Sequence, residues 1–244
     1  MIRVFVDFDG TITLQDVGDA MFERFGGREA VDAVAAYRAG TMSAAACFDV
    51  ECRACGSPDV ADLDAFLDSC GIDGSFVPFS AFAREHGMPL TILSDGMDYY
   101  IARILGRHGL ASVPFRANHL ELTQTGVPGR IRLVPSFPYT DETCDRCACC
   151  KRNQMITMSA DEDVIVYVGE GYSDRCPARY ADLVFAKDEL LQHCRQNGIP
   201  CTEYRSFSDV QGVLARRLAE QRKRSPFRKR RQAELARREV IMAE

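Results

Sequence analysis

The sequence predicts an α/β protein, with an open, doubly wound parallel sheet, a helical cap inserted after the first strand, and a β-hairpin flap. Three observations predict it. Four short apolar runs, Ile2–Val6, Leu90–Leu93, Val164–Val168 and Leu183–Ala186, are rich in branched and aromatic residues and read as buried parallel strands. Helical patterns fill the spaces between them. The first interval is too long for a single crossover and carries no strand signal.

Each element follows from its residues. Ile2–Val6 ends abruptly in Asp7 and Asp9, two carboxylates one residue apart, followed by Gly10 and Thr11. Between Thr13 and about Gly74 the spacing predicts four helices. Residues 17–27 have apolar side chains at 17, 20, 21 and 25 and a Gly-Gly stop; residues 29–40 are Ala-rich; residues 41–56 form the third. Residues 57–71 form the fourth, with Ser57 as its cap and Pro58 in the first turn. Residues 97–108 and 188–197 read as crossover helices, the second closed by Gly198. Residues 115–134 read as a hairpin, and Ser208 with Gln211 has the spacing of a capping box opening a last helix. The predicted domains are a core of 1–14 and 75–215, a cap of 15–74, and a basic C-terminal helix or tail of 216–244.

With 244 residues and 46% apolar content the chain can bury a full core, and it has no apolar run long enough to cross a bilayer. The N-terminus runs straight into strand, without a targeting segment, so a cytoplasmic protein is expected. Eleven cysteines, several in helix-like stretches, read as reduced thiols packed as small apolar side chains. Cys52-x2-Cys55 and Cys144-x2-Cys147-x-Cys149-Cys150 also have zinc-ligand spacing, and metal analysis separates the two readings. The net charge of −5 hides an asymmetry: residues 216–244 hold 11 Arg and Lys against 4 Glu, or +7, leaving −12 on the rest. The acidic body argues against a nucleic-acid-binding core. The tail, with Pro226 interrupting it, could bind nucleic acid, an acidic partner or a membrane surface, but a solvated helix or disordered end is favoured. The four histidines read as surface or structural residues; Asp16, just past the nucleophile loop, reads as a helix cap, with a substrate-facing role as the alternative.

Four segments carry chemistry. Two like charges at the end of an apolar strand are costly, and a divalent cation with a bound phosphate answers that cost best. With the cation in place, one of Asp7 and Asp9 can act as nucleophile while the other keeps a proton. Ser94-Asp95-Gly96 offers a hydroxyl and backbone N–H groups ahead of a helix, although this is also an ordinary turn. Lys151 follows a Cys-rich loop and precedes a predicted helix, NQMITM. Val164–Val168 runs into Gly169-Glu170-Gly171-Tyr172-Ser173-Asp174, adding two carboxylates, of which Asp174 also reads as a helix cap. All four lie at the same end of one predicted sheet.

These residues resemble, in order, the four motifs of the haloacid-dehalogenase superfamily: DFDGT at 7–11, Ser94, Lys151 and GEGYSD at 169–174. The match spans roughly residues 1–205. The cap position is similar to that of the phosphoserine-phosphatase-like branch. DFDGTIT, CDRCACCKR and GYSDRCPA look closest to the methionine-salvage phosphatases, which act on 2-hydroxy-3-keto-5-methylthiopentenyl-1-phosphate. The resemblance implies a Rossmann-like core and a phosphatase acting on a small phosphorylated metabolite. It implies that Asp7 attacks phosphorus and that Asp9 serves as acid and then base. It implies Mg²⁺ held by Asp7, the Asp9 carbonyl, Glu170 and Asp174, with Ser94, Asp95, Gly96 and Lys151 on the phosphoryl oxygens. Glu170 departs from the branch, which usually has Asp there. Alternatives are a phosphoserine or phosphocholine-type phosphatase, a phosphotransferase, or a catalytically idle phospholigand-binding or tail-mediated interaction protein. Oligomeric state is not legible.

Overall fold

The computed structural model describes residues 1–142, 144, 146–221 and 227–241; Pro226 and the heart of the basic segment lie outside them. Among the described residues seven strands join in the order β4-β3-β2-β1-β5-β6-β7. They are β1 (Ile2–Val6), β2 (Leu90–Met97), β3 (Phe115–Gln124), β4 (Ile131–Ser136), β5 (Val164–Gly169), β6 (Leu183–Ala186) and β7 (Thr202–Glu203). β1 is parallel to β2 and β5, β5 to β6, and β6 to β7; β3 and β4 form the predicted antiparallel hairpin. The strand order steps from β1 to either side with helices in the connections, giving the predicted doubly wound sheet. No helix among the described residues is long and apolar enough to cross a membrane.

The chain divides into two compact units. The first comprises residues 1–12, 72–93 and 151–244. β5 is buried at every position, which is why it reads as an unbroken apolar run. Around it pack α6 (Lys151–Thr157), α7 (Arg175–Tyr180) and α8 (Asp188–Gln196), through Met155, Ala178, Leu190 and Cys194. α4 (Phe76–Glu85), for which the sequence named no element, meets α9 (Phe207–Gln221) through an aromatic cluster of Phe76, Phe79 and Phe207. α9 opens earlier than its predicted capping box. Asp209 accepts from the Arg205 and Ser206 amides, and Asp73 accepts from Phe207 N at 2.9 Å. Acceptors at these positions satisfy the orphan N–H groups, so the helix starts before Ser208.

The basic end is not simply solvated. α10 (Arg231–Ile241) buries Ala233 and Arg237 and lays Ala236 and Val240 on the core cluster. Positions 233, 236, 237 and 240 make one helical stripe. Arg237 donates to Tyr180 O and to Asp182 Oδ1, and the Arg230 amide donates to the same oxygen at 2.9 Å. Asp182 Oδ2 accepts from Ile165 N at 2.9 Å, so this buried carboxylate ties α10 to the sheet.

The second unit comprises residues 13–71 and 94–150. The two expected helices at 17–27 and 29–40 follow one another in α1 (Val17–Arg38) and meet at Gly27, whose φ of 60° and ψ of −142° are not helical. Glycine reaches that conformation without a Cβ clash, so the helix breaks at the expected Gly-Gly stop. Asp16 caps α1 by accepting from Asp19 N at 2.8 Å. α2 (Ala44–Ala54) follows, then α3 (Val60–Ser69), which is capped by Asp59 where the sequence suggested Ser57, leaving Pro58 ahead of the helix. Pro58 O accepts from Ile131 N, and Val60 N donates to Gly129 O, stitching the hairpin to the start of α3. α5 (Asp98–Arg107) is bound to α3 by Arg103 on Asp68 and Asp64 and by Tyr99 on Asp64.

Candidate active site

The first unit gathers Asp7, Lys151 and Asp174 into one buried contact. β1 delivers Asp7, which is 5% exposed and whose amide donates to Val168 O at 2.9 Å. The chain then turns, with Thr11 N and Ile12 N both donating to Phe8 O. Lys151 is the first residue of α6 and lies in the core, where a loop ahead of that helix was expected. Its ammonium donates to Asp7 Oδ1 at 2.6 Å, Asp174 Oδ1 at 2.7 Å and Ser173 Oγ at 2.9 Å.

Asp174, expected from the sequence to ligate metal, accepts from donors of the chain at both oxygens. Oδ2 accepts from the Glu170 and Gly171 amides at 2.8 and 3.0 Å, while Oδ1 takes Lys151 and the Tyr167 hydroxyl. Four donors satisfy this carboxylate, which makes it the hub of the loop. A Cβ on Gly169 would lie 2.5 Å from Asp174 Oδ2, so glycine there is what lets the carboxylate tuck in. Glu170 faces the nucleophile turn, since a Cβ on Gly10 would stand 2.8 Å from Glu170 Oε1. Gly10 also has φ +65°, a second reason for glycine.

Electrostatics follow from burial. Burial pushes the Asp7 carboxyl well above the carboxylate range, helped by Asp174 and Asp9 and opposed by Lys151. Burial acts the same way on Asp174, but the Lys151 charge and the hydrogen bonds from Lys151, Tyr167 and Gly171 outweigh it and hold Asp174 below its ordinary value. Burial works against the Lys151 charge, but Asp174 and Asp7 override it and keep the ammonium protonated. Glu170 is pushed up to about 7 by burial, then by Asp174 and Asp188. Negative charge is therefore in excess here, with Asp7, Asp9, Glu170 and Asp174 acting on one another around a single buried ammonium.

Ser94, Asp95 and Gly96 belong to the second unit. They lie within β2, which continues to Met97, rather than in a loop before α5. The expected free amide of Gly96 donates to Ser94 Oγ at 2.9 Å. Asp95 Oδ1 accepts from Ala148 N and Cys149 N at 2.8 and 2.7 Å, and Asn118 Nδ2 donates to Asp95 O at 2.7 Å. Asp95 thus anchors the Cys-rich loop that leads into Lys151. Sequence reasoning missed Tyr167, Ser173 and Asn118. A phenol inside an otherwise apolar strand was the available signal for Tyr167, because a buried hydroxyl needs a partner.

Among the described residues no three His, Cys, Asp or Glu side chains form a ready-made metal cage. Such a cage is not what Mg²⁺ requires, because it keeps several waters and is bound through one or two carboxylates. Two hard-oxygen donors, Asp7 and Glu170, stand beside a tight backbone turn and around a single ammonium, and this set fits that ion.

Residues 4–179 match the family described as haloacid dehalogenase-like hydrolase. A protein of Exiguobacterium sibiricum named 2-hydroxy-3-keto-5-methylthiopentenyl-1-phosphate phosphatase is 30% identical over 216 residues, 86% of this chain and 94% of that protein. A Bacillus cereus protein of the same name is 28% identical, over 87% of this chain and 95% of its own length. A solved phosphoserine phosphatase carrying a phospho-aspartyl intermediate analogue superposes with a TM-score of 0.64 at 14% identity, over 87% of this chain and 99% of that one. An unliganded probable phosphoserine phosphatase from Vibrio cholerae gives a TM-score of 0.67 at 16% identity, over 92% and 68%. On the span and content of these matches, this chain belongs to the haloacid dehalogenase-like hydrolase family.

Proposed function

We propose that this phosphatase hydrolyses a small phosphomonoester through a covalent aspartyl-phosphate on Asp7, and that its substrate is 2-hydroxy-3-keto-5-methylthiopentenyl-1-phosphate. The observation that carries the reading is the buried Asp7–Lys151 contact at 2.6 Å. A carboxylate shut off from water beside a fixed ammonium suits in-line attack on phosphorus, where catalysis is mostly positioning and charge neutralisation. The substrate comes from the named relatives, which this chain matches over nearly their full length.

The Asp7 carboxylate attacks phosphorus, an oxygen–phosphorus bond forms, and the ester oxygen leaves. Asp9 donates a proton to that oxygen. Water then attacks the aspartyl-phosphate, Asp9 takes its proton, and inorganic phosphate departs with Asp7 restored. Lys151 draws charge from the phosphoryl oxygens while Asp174 holds the ammonium in place. Asp7, the Asp9 carbonyl and Glu170 would hold Mg²⁺, which when bound offsets the acid excess and favours the ionised Asp7 that burial alone disfavours.

A panel of phosphorylated metabolites with Mg²⁺, scored by kcat/KM, tests the proposal. The methylthiopentenyl phosphate is expected to lead the panel, with p-nitrophenyl phosphate a slow general substrate. A higher kcat/KM for phosphoserine or phosphocholine would overturn the substrate assignment.

A further inference from the structure

Tyr167 is the one polar-tipped side chain on β5, in a strand buried throughout. Phenylalanine would fill the same space without burying a hydroxyl, and an unpaired buried hydroxyl is costly. Here the hydroxyl donates to Asp174 Oδ1 at 2.5 Å. That oxygen also accepts from Lys151 at 2.7 Å, and Lys151 reaches Asp7 Oδ1 at 2.6 Å. The four groups form one line: phenol, carboxylate, ammonium, nucleophile. The far oxygen of Asp174 is pinned by the Glu170 and Gly171 amides, so the carboxylate is held at both ends. The arrangement needs room, and a Cβ on Gly169 would come within 3.0 Å of Tyr167 Cε1 as well as striking Asp174.

We propose that Tyr167 is a positioning residue for phosphoryl transfer. Its hydroxyl takes one acceptor direction of Asp174 Oδ1, so the Lys151 ammonium is confined to the other and directed onto Asp7. Tyr167 touches no substrate and acts through two intermediaries. Without the hydroxyl, Asp174 Oδ1 offers both directions to Lys151, and the ammonium can slide away from Asp7 towards the hub. A small misplacement of a charge-neutralising group costs rate far more than it costs binding. The inference rests on the aspartyl-phosphate reading above.

The test is Tyr167→Phe in the full chain with Mg²⁺ and p-nitrophenyl phosphate, beside Asp7→Asn and Ile165→Val. Ile165 lies two residues away on β5 and deletes one buried methyl group, reporting what core loosening alone does. For Tyr167→Phe, kcat is expected to fall about tenfold or more with KM within about twofold, at a Tm no lower than that of Ile165→Val. Ile165→Val is expected to keep the wild-type kcat. With wild type active and Asp7→Asn inactive, an unchanged kcat in Tyr167→Phe overturns the positioning role alone. A Tyr167→Phe protein that fails to fold also overturns it, by making the hydroxyl a folding requirement. Activity retained in Asp7→Asn overturns the aspartyl-phosphate reading, and this inference with it.

Discussion

Lys151 Nζ lies 2.6 Å from Asp7 Oδ1, a contact between residues 144 positions apart with both side chains shut off from solvent. The ammonium compensates two buried carboxylates, and removing one partner of a buried ion pair strands the others. Lys151→Met preserves much of the volume and deletes the charge. The expected result is a kcat lower by about 10²–10³ and a stability loss of about 3 kcal/mol, read by steady-state kinetics and urea unfolding. A methionine variant with wild-type turnover would remove Lys151 from the chemistry.

Gly10 and Gly198 make a controlled pair. Both have positive φ, at +65° and +63°, but only Gly10 would drive a Cβ into a neighbour, Glu170 Oε1 at 2.8 Å. Gly198→Ala is expected to cost about 1 kcal/mol of backbone strain and leave kcat/KM unchanged. Gly10→Ala is expected to cost similar strain and also raise the Mg²⁺ concentration for half-maximal activity, because Glu170 must move. Equal metal dependence in both variants would take Glu170 away from the nucleophile turn.

Much of this was legible in the chain. The strands were readable because buried parallel strands are apolar runs, and β1 and β6 have the bounds their runs suggest. Asp7 and Lys151 announced themselves as charges at strand or loop ends. What was not legible depended on partners distant in sequence. Nothing in GEGYSD distinguishes a metal-facing Asp174 from a hydrogen-bonded hub, because the distinction is made by Lys151 and Tyr167. The docking of α10 was hidden by its arginines, since Arg237 serves the core only through Asp182 and the Tyr180 carbonyl.

Glu51 gives the second unit a pH signature. It is 3% exposed, and burial, reinforced by Asp19 and Asp16 against a hydrogen bond with Cys47, pushes its carboxyl up to about 8 from 4.5. The native state then holds a proton that the unfolded chain has lost. Stability from this group is present below 4.5 and drains as pH rises towards about 8, with a limiting slope of about 1.4 kcal/mol per pH unit. Glu51→Gln removes the titration, so its urea midpoint is expected to change less between about pH 5 and about pH 8 than that of wild type. Parallel pH dependences would show Glu51 ionising as freely in the fold as out of it.

Arg237→Ala tests the C-terminal helix. The substitution leaves Asp182 buried without its guanidinium and frees the carbonyl at the end of α7. A loss of about 2–4 kcal/mol is expected from chemical unfolding, against less than about 0.5 kcal/mol for the exposed Arg238→Ala. Equal small losses would mean that α10 is not docked in solution.

The central claim is that phosphate passes through Asp7. Purified protein mixed with a radiolabelled phosphomonoester and Mg²⁺, quenched in acid within a turnover and reduced with borohydride, reads it directly. The account predicts that mass spectrometry of the digest finds the reduced product of an acyl phosphate at position 7, forming and decaying fast enough to carry the steady-state rate. Sustained turnover with no modification at position 7, or with the label on another residue, contradicts it.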